Sequence, residues 1–355
     1  MRWDLFCHVL DNLGDVGVCW RLASDLGARG ESVHLTIDDP GPLGWLAPLG
    51  APGVEVRRWS ETAPRRPAAD VVIEAFGCDP PLAYLEHLAA MAARPCWINL
   101  EYLSAEGFAE RAHGLPSPQQ FGPLQGWVKH FFYPGFSART GGLLREPGLL
   151  QRRAAFQRDA WLHAQGWPRR PGERVVTLFS YANASIPGLI DQLAAETTLL
   201  MVPQGPAQDC VRAELGPALT RGALRAIAMP WISQTEFDHL LWSADLNFVR
   251  GEDSLVRALW AGSPFVWQIY PQADGAHHRK LHAFLDAWLP GPADTVSASI
   301  RRLFDLWNAG TSASVQQLQL PALEPWAEAV QAWRGRLAGQ DDLTSQLLRF
   351  IAQKR

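Results

Sequence analysis

Two short stretches of this 355-residue chain hold residue types at spacings suited to group transfer. The first is Val9-Leu10-Asp11-Asn12-Leu13-Gly14-Asp15-Val16-Gly17. Two carboxylates four residues apart, in a turn after an apolar run, can hold a cation or take a proton from an acceptor. Gly14 and Gly17 let a bulky ligand approach the backbone closely. The same residues suit simpler duties, Asp15 as a helix N-cap and Asp11 as a turn former. The second stretch runs from Leu246 through Arg250-Gly251-Glu252-Asp253-Ser254 to Arg257. It reads as a strand giving way through Arg250 and Gly251 to a helix that starts near Asp253. Amides at a helix N-terminus attract anions, Ser254 adds a hydroxyl donor, and Arg250 can fork onto a phosphate. Acids beside a diphosphate make sense if Glu252 accepts from ribose or sugar hydroxyls; plain capping by two acids is the alternative.

Phe179, Tyr181, Trp231 and Phe237 can sandwich a base, although each aromatic taken singly suits a core equally well. Gln234 can read a base edge or a phosphate. His278 and His282 stand four apart, with His277 alongside, but no zinc-protease Glu follows them. They read as surface or cleft-wall histidines, and no metal site is predicted. A dinucleotide fingerprint, an EF-hand, a P-loop and a Ser-His-Asp arrangement are all missing from the sequence.

Elements that position these stretches follow from the alternation of short apolar runs with helical patterns, which predicts parallel sheets covered by helices. In the first half, strands are expected at 5–10, 32–37, 54–59, 71–76, 96–100 and 130–133, with helices at 16–26 and 80–91. Residues 104–127, rich in Gly and Pro, read as an irregular loop of the length that is usually functional. After a polar stretch at 167–174, strands are expected at 175–181, 199–202, 223–228, 246–249 and 265–270. Helices alternate with them near 186–196, 209–215, 234–243 and 254–261. A helical connector near 147–165 joins the halves. Residues 341–351 carry Leu343, Leu347, Leu348 and Ile351 on one helical face. The expected architecture is α/β with two Rossmann-like domains, 1–150 and 151–340, and a C-terminal helix at 341–355 that packs back on the first. Ligands of such sheets bind beyond the carboxyl ends of the strands, where both stretches lie.

The length suits two domains, and 47% hydrophobic residues can fill two cores. A net charge of −4 argues against a dedicated nucleic-acid binder. The five cysteines form no C-x-x-C pair and read as free thiols in a reducing compartment. The opening Met-Arg-Trp-Asp-Leu-Phe-Cys-His is neither a signal nor a transit peptide, and no apolar window reaches membrane-spanning length. A soluble, cytoplasmic protein is expected.

Taken together, the residues from Asp11 to Ala23, Asn99 to Glu106, Phe132 to Phe136, Phe179 to Tyr181, Asp245 to Arg257 and Pro264 to Gln272 resemble the EarP family. Its members are protein-arginine rhamnosyltransferases that modify translation elongation factor P. The resemblance implies a GT-B fold, with the two domains facing a central cleft, and an inverting transferase. It implies dTDP-β-L-rhamnose as donor, an arginine of elongation factor P as acceptor, and no cofactor. Carried over residue by residue, Asp15 would be the general base, Asp11 would orient the acceptor guanidinium, and Glu252 would join them as a catalytic residue. Asn12, Leu13 and Gly14 would line the sugar. Tyr181, Gln234, Arg250, Gly251, Glu252, Asp253 and Ser254 would hold the nucleotide diphosphate, and Trp231 and Phe237 the thymine. Departures from the family pattern are Trp231 and Leu255 where Phe is frequent, Ser233 where Pro is frequent, and Leu13 for a frequent aromatic.

The chemistry agrees with that implication. A guanidinium is protonated below a pH of about 12 and attacks carbon only as it loses a proton. One carboxylate can pair with two of its N–H groups while a second turns the reacting nitrogen and accepts the proton. Two other readings remain: a transferase with a small-molecule acceptor, and a non-catalytic dTDP-sugar-binding regulator.

Overall fold

The computed structural model describes residues 1–9, 13–61, 69–272, 275–289, 294–309 and 318–354. The chain divides into two compact units, Met1–Pro147 with Gly339–Arg355, and Gly148–Ala338.

In the first unit the strands are β1 (Arg2–Cys7), β2 (Ser32–Ile37), β3 (Val54–Arg58), β4 (Val71–Ala75), β5 (Cys96–Leu100), β6 (Pro116–Pro118) and β7 (Val128–Phe132). They order as β3-β2-β1-β4-β5-β7-β6, all parallel except the short edge strand β6. Strand β4 is buried along its whole length and carries the apolar run Val71-Val72-Ile73. Its one charged residue is Glu74, whose carboxylate takes hydrogen bonds from Trp97 Nε1 at 2.9 Å and Lys129 Nζ at 2.8 Å. The helix Gly14–Ala28 lays Val16, Cys19, Leu22, Ala23 and Leu26 on the sheet. Gly27 lets that helix close against the loop before β3, because a Cβ there would lie 2.2 Å from the Pro52 carbonyl oxygen.

The terminal helix Leu343–Lys354 joins the same core through Leu343, Leu347 and Ile351. Burying each contributes about 1.5–3 kcal/mol. Arg29 fixes its position, donating to Asp342 Oδ1 and Ser345 Oγ at 2.7 Å each while pairing with Asp25 on its own helix.

The second unit has β8 (Arg174–Leu178), β9 (Thr198–Val202), β10 (Thr220–Arg221), β11 (Leu224–Ala228), β12 (Leu246–Arg250) and β13 (Phe265–Gln268), ordered β10-β11-β9-β8-β12-β13 with only β10 antiparallel. Counting parallel strands along the chain, both sheets therefore contain the order 3-2-1-4-5, with the first unit adding a sixth. In each, the order reverses beside the unit's first strand: between β1 and β4, and between β8 and β12. That reversal opens the crevice in which doubly wound sheets take ligands.

Several boundaries differ from expectation. The first strand ends at Cys7, not residue 10, and its helix begins at Gly14. The irregular loop 104–127 contains a helix, Gly107–Ala112, and strand β6. The connector is two helices, Leu149–Ala155 and Arg158–Ala164. Helices Thr295–Ala309 and Leu323–Ala338 follow the second α/β series. They shelter part of the tryptophan load: Trp307 and Trp326 are fully buried, and Trp333 stacks on Trp288 at 5.4 Å.

Candidate active site

At the first unit's reversal point, β1 feeds the loop that carries the paired acids. Asp11 and Asn12 lie outside the described residues. Leu13 occupies the N-cap of the following helix without a side-chain cap bond, and Asp15 sits inside the first turn, not at the cap. A carboxylate there is favoured by the helix dipole. Asp15 is only 3% exposed. Beneath it, Cys19 lies one turn further on. Burial, a hydrogen bond with Cys7 and the nearby charge of Asp15 push its thiol well above the ordinary range. Cys78 is pushed up to about 12, chiefly by burial. Thiols in that state are poor nucleophiles. All five cysteines are free.

Across the reversal point, β4 is followed by Phe76, a non-glycine residue at φ +59°. Its ring stacks on Tyr102, with centroids 4.4 Å apart and planes 14° from parallel. Backbone strain of this kind collects at functional sites. Glu101 follows β5, held by Asn99 Nδ2 at 2.9 Å, and burial raises its pKa above the usual carboxylate range. Periodicity gave no sign of the Phe76–Tyr102 pair, because a left-handed Phe has no sequence signature.

In the second unit β12 delivers Arg250 to the N-cap of the helix Gly251–Ala261, which starts two residues earlier than expected. Gly251 makes this turn possible with φ +67°, and its carbonyl accepts from Trp267 Nε1 at 2.8 Å. The guanidinium carbon of Arg250 lies 4.7 Å from the ring centre of Phe179 and 4.5 Å from that of Tyr181. Both rings lie within three residues of the end of β8. Cation–π contacts at that range contribute about 0.5–2 kcal/mol and hold the fork at the helix N-terminus. Phe237 packs edge-on to Phe179 at 5.1 Å, and Tyr270 edge-on to Tyr181 at 5.6 Å. Trp231 is 40% exposed.

The polar residues of this turn are cross-linked. Ser254 Oγ accepts from the Arg250 N–H at 3.1 Å and donates to the Arg250 carbonyl. Donation to a phosphate therefore requires its hydroxyl hydrogen to leave that carbonyl. Glu252 is paired with Lys280 Nζ at 2.6 Å, and Asp253 accepts from Gln234 Nε2 at 3.4 Å. Ser233 caps the helix Gln234–Ser243 by accepting from Glu236 N–H. One layer below, Arg257 forms a buried two-pronged pair with Asp238, at 2.9 and 2.6 Å, that locks this helix to Gly251–Ala261. Breaking such a pair costs about 3–5 kcal/mol. Lys280 and the Arg257–Asp238 pair escaped the sequence reading because their partners stand 28 and 19 residues away.

Of the three histidines, His277 is buried and accepts from the Gln272 N–H at 3.1 Å, while His282 is exposed and faces Asp305 at 2.9 Å. Among the described residues, no group of three or more His, Cys, Asp or Glu is gathered to hold a metal ion. No helix among them is long and apolar enough to cross a membrane.

Comparison with known proteins decides the family. Residues 3–352 match the family described as Elongation-Factor P (EF-P) rhamnosyltransferase EarP. The chain belongs to the EarP family. It is 43% identical to the protein-arginine rhamnosyltransferase of Pseudomonas putida, covering 98% of each chain. With that of Pseudomonas aeruginosa it shares 41% identity over 99% of this chain and 98% of the other. A solved structure on EarP-mediated arginine glycosylation of translation elongation factor EF-P superposes with a TM-score of 0.69 at 32% identity, over 100% of this chain and 99% of that one. A UDP-glucosyltransferase from Polygonum tinctorium, 10% identical and covering 99% and 97%, shares the GT-B fold at a TM-score of 0.53. The protein is thus a GT-B glycosyltransferase of the protein-arginine rhamnosyltransferase type.

Proposed function

We propose that this EarP-family enzyme, acting in the cytoplasm, moves L-rhamnose from dTDP-β-L-rhamnose to one arginine of elongation factor P, with inversion at the sugar carbon. The observation that carries the donor half is Arg250, clamped by Phe179 and Tyr181 at a helix N-terminus where the sheet order reverses. A fixed guanidinium and the amides of a helix N-terminus suit a diphosphate, before and after its bond to the sugar breaks. In this reading Trp231 and Phe237 flank the thymine, with Gln234 and Tyr181 beside the nucleotide. Glu252 and Asp253 accept from hydroxyls while Lys280 and Gln234 fix their orientation.

The acceptor half rests on Asp15 and Asp11, with Asn12, Leu13 and Gly14 lining the sugar. Asp15 takes the proton from the attacking guanidinium nitrogen, and Asp11 orients the guanidinium. The nitrogen forms its bond to the anomeric carbon as the bond to the diphosphate oxygen breaks, and attack from the face opposite the leaving group inverts the centre. The charge released onto the diphosphate is met by Arg250 and the helix amides, so the mechanism calls for no divalent metal. The test is to incubate pure protein with dTDP-rhamnose and elongation factor P and weigh the acceptor. A gain of one deoxyhexose on one arginine is expected. An unchanged mass would overturn the reading.

A further inference from the structure

Two buried polar atoms at the carboxyl ends of β8 and β13 have no hydrogen-bond partner among the described residues: Ser180 Oγ and Gln268 Oε1. Ser180 is 2% exposed and Gln268 8%. Buried polar groups are nearly always partnered, so each orphan needs an explanation. Their position supplies one. Ser180 stands between Phe179 and Tyr181, the two residues whose rings flank the Arg250 guanidinium. Gln268 is the in-register neighbour of Arg250 on β13 and shares its face of the sheet. Both therefore border the reversal point between β8 and β12.

The two orphans differ in what they can accept as a partner. A hydroxyl donates as well as accepts, so Ser180 can serve a phosphate oxygen. An amide oxygen only accepts. A diphosphate ester at neutral pH carries no hydrogen to offer it. Within a bound nucleotide sugar, the groups able to donate to Gln268 Oε1 are O–H or N–H groups, and the sugar supplies hydroxyls next to the diphosphate. We propose that Gln268 reads a hydroxyl of the transferred sugar and that Ser180 donates to the diphosphate, which makes Gln268 a specificity-determining residue. This assignment rests on the donor reading above.

Its test compares two ligands, dTDP and dTDP-rhamnose, titrated calorimetrically against full-length protein. Gln268→Met keeps the shape and removes the acceptor; it should weaken dTDP-rhamnose about five- to tenfold and leave dTDP unchanged. Ser180→Ala should weaken both ligands by a similar factor, about fivefold. Gln268→Glu keeps an acceptor oxygen, so it should preserve the advantage of the sugar nucleotide over dTDP, even as its charge weakens both. Removing an unpartnered group spares its desolvation cost, so neither Gln268→Met nor Ser180→Ala should lower the unfolding temperature of the ligand-free protein. An unchanged affinity ratio in Gln268→Met would overturn the role of Gln268 while leaving the donor reading in place. So would a lowered unfolding temperature with both affinities intact, which would make the residue a packing element. Wild-type protein that binds neither nucleotide would overturn the donor reading, and this assignment with it.

Discussion

The two sheets share a strand order but carry opposite chemistry where that order reverses. At the first, between β1 and β4, stand a buried Asp15, a strained Phe76 stacked on Tyr102, and Glu101 just beyond β5. At the second, between β8 and β12, stand Arg250 on two aromatic rings and the N-terminus of an 11-residue helix. In the proposed function the first takes a cation and the second an anion. The fold supplies two equivalent positions, and local residues decide which charge each accepts. A reaction that joins a guanidinium to a sugar leaving from a diphosphate needs one position of each kind.

That contrast can be broken from either side. The largest effect is expected at Asp15. Asp15→Asn keeps the shape and removes the proposed base, and it should lower turnover by about a hundredfold to ten-thousandfold, read as the rate at which acceptor mass increases. Asp11→Asn should fall short of that, because orientation alone is lost; equal loss would make the two acids a single unit. At the other reversal point, Arg250→Ala should weaken dTDP binding about tenfold or more, as a charge-assisted bond to phosphate disappears. Arg250→Lys should recover little, since a point charge neither forks nor stacks as guanidinium does. Full recovery by Lys would show that charge alone matters there.

Ser254→Ala should have the smallest effect and is the most informative about geometry. Its hydroxyl is already engaged with the Arg250 backbone. If that bond only shapes the turn, the substitution costs about 1 kcal/mol of stability on denaturant unfolding and leaves dTDP affinity intact. A fall in affinity of several fold would place the hydroxyl on a phosphate. Transfer should also survive excess chelator, and a loss restored by Mg²⁺ would contradict the metal-free leaving-group step.

Much of this contrast was legible in the residues themselves. Apolar runs such as Val71-Val72-Ile73 marked the strands, and both Gly-bearing turns stood directly after one. Less visible was what depends on contacts between distant residues or on torsion angles. Periodicity could not show that Glu252 faces Lys280, that Arg257 pairs with Asp238, or that Phe76 turns left-handed. The boundary of the first strand was misplaced because Val9 and Leu10 prolong its apolar run, although pairing stops at Cys7. Helices Thr295–Ala309 and Leu323–Ala338 carry clear stripes, Ile300, Leu303, Phe304 and Trp307 in one, Trp326, Val330, Trp333 and Leu337 in the other. They follow the end of the strand alternation, which gives no reason to expect them.

The central claim is that the two reversal points divide the work, with the anion held at the second alone. Its most direct test is one calorimetric titration of dTDP into wild-type protein, Asp15→Asn and Arg250→Ala. The account predicts an unchanged dissociation constant for Asp15→Asn and one about tenfold or more weaker for Arg250→Ala. Loss of dTDP binding in Asp15→Asn, with Arg250→Ala unaffected, would contradict it.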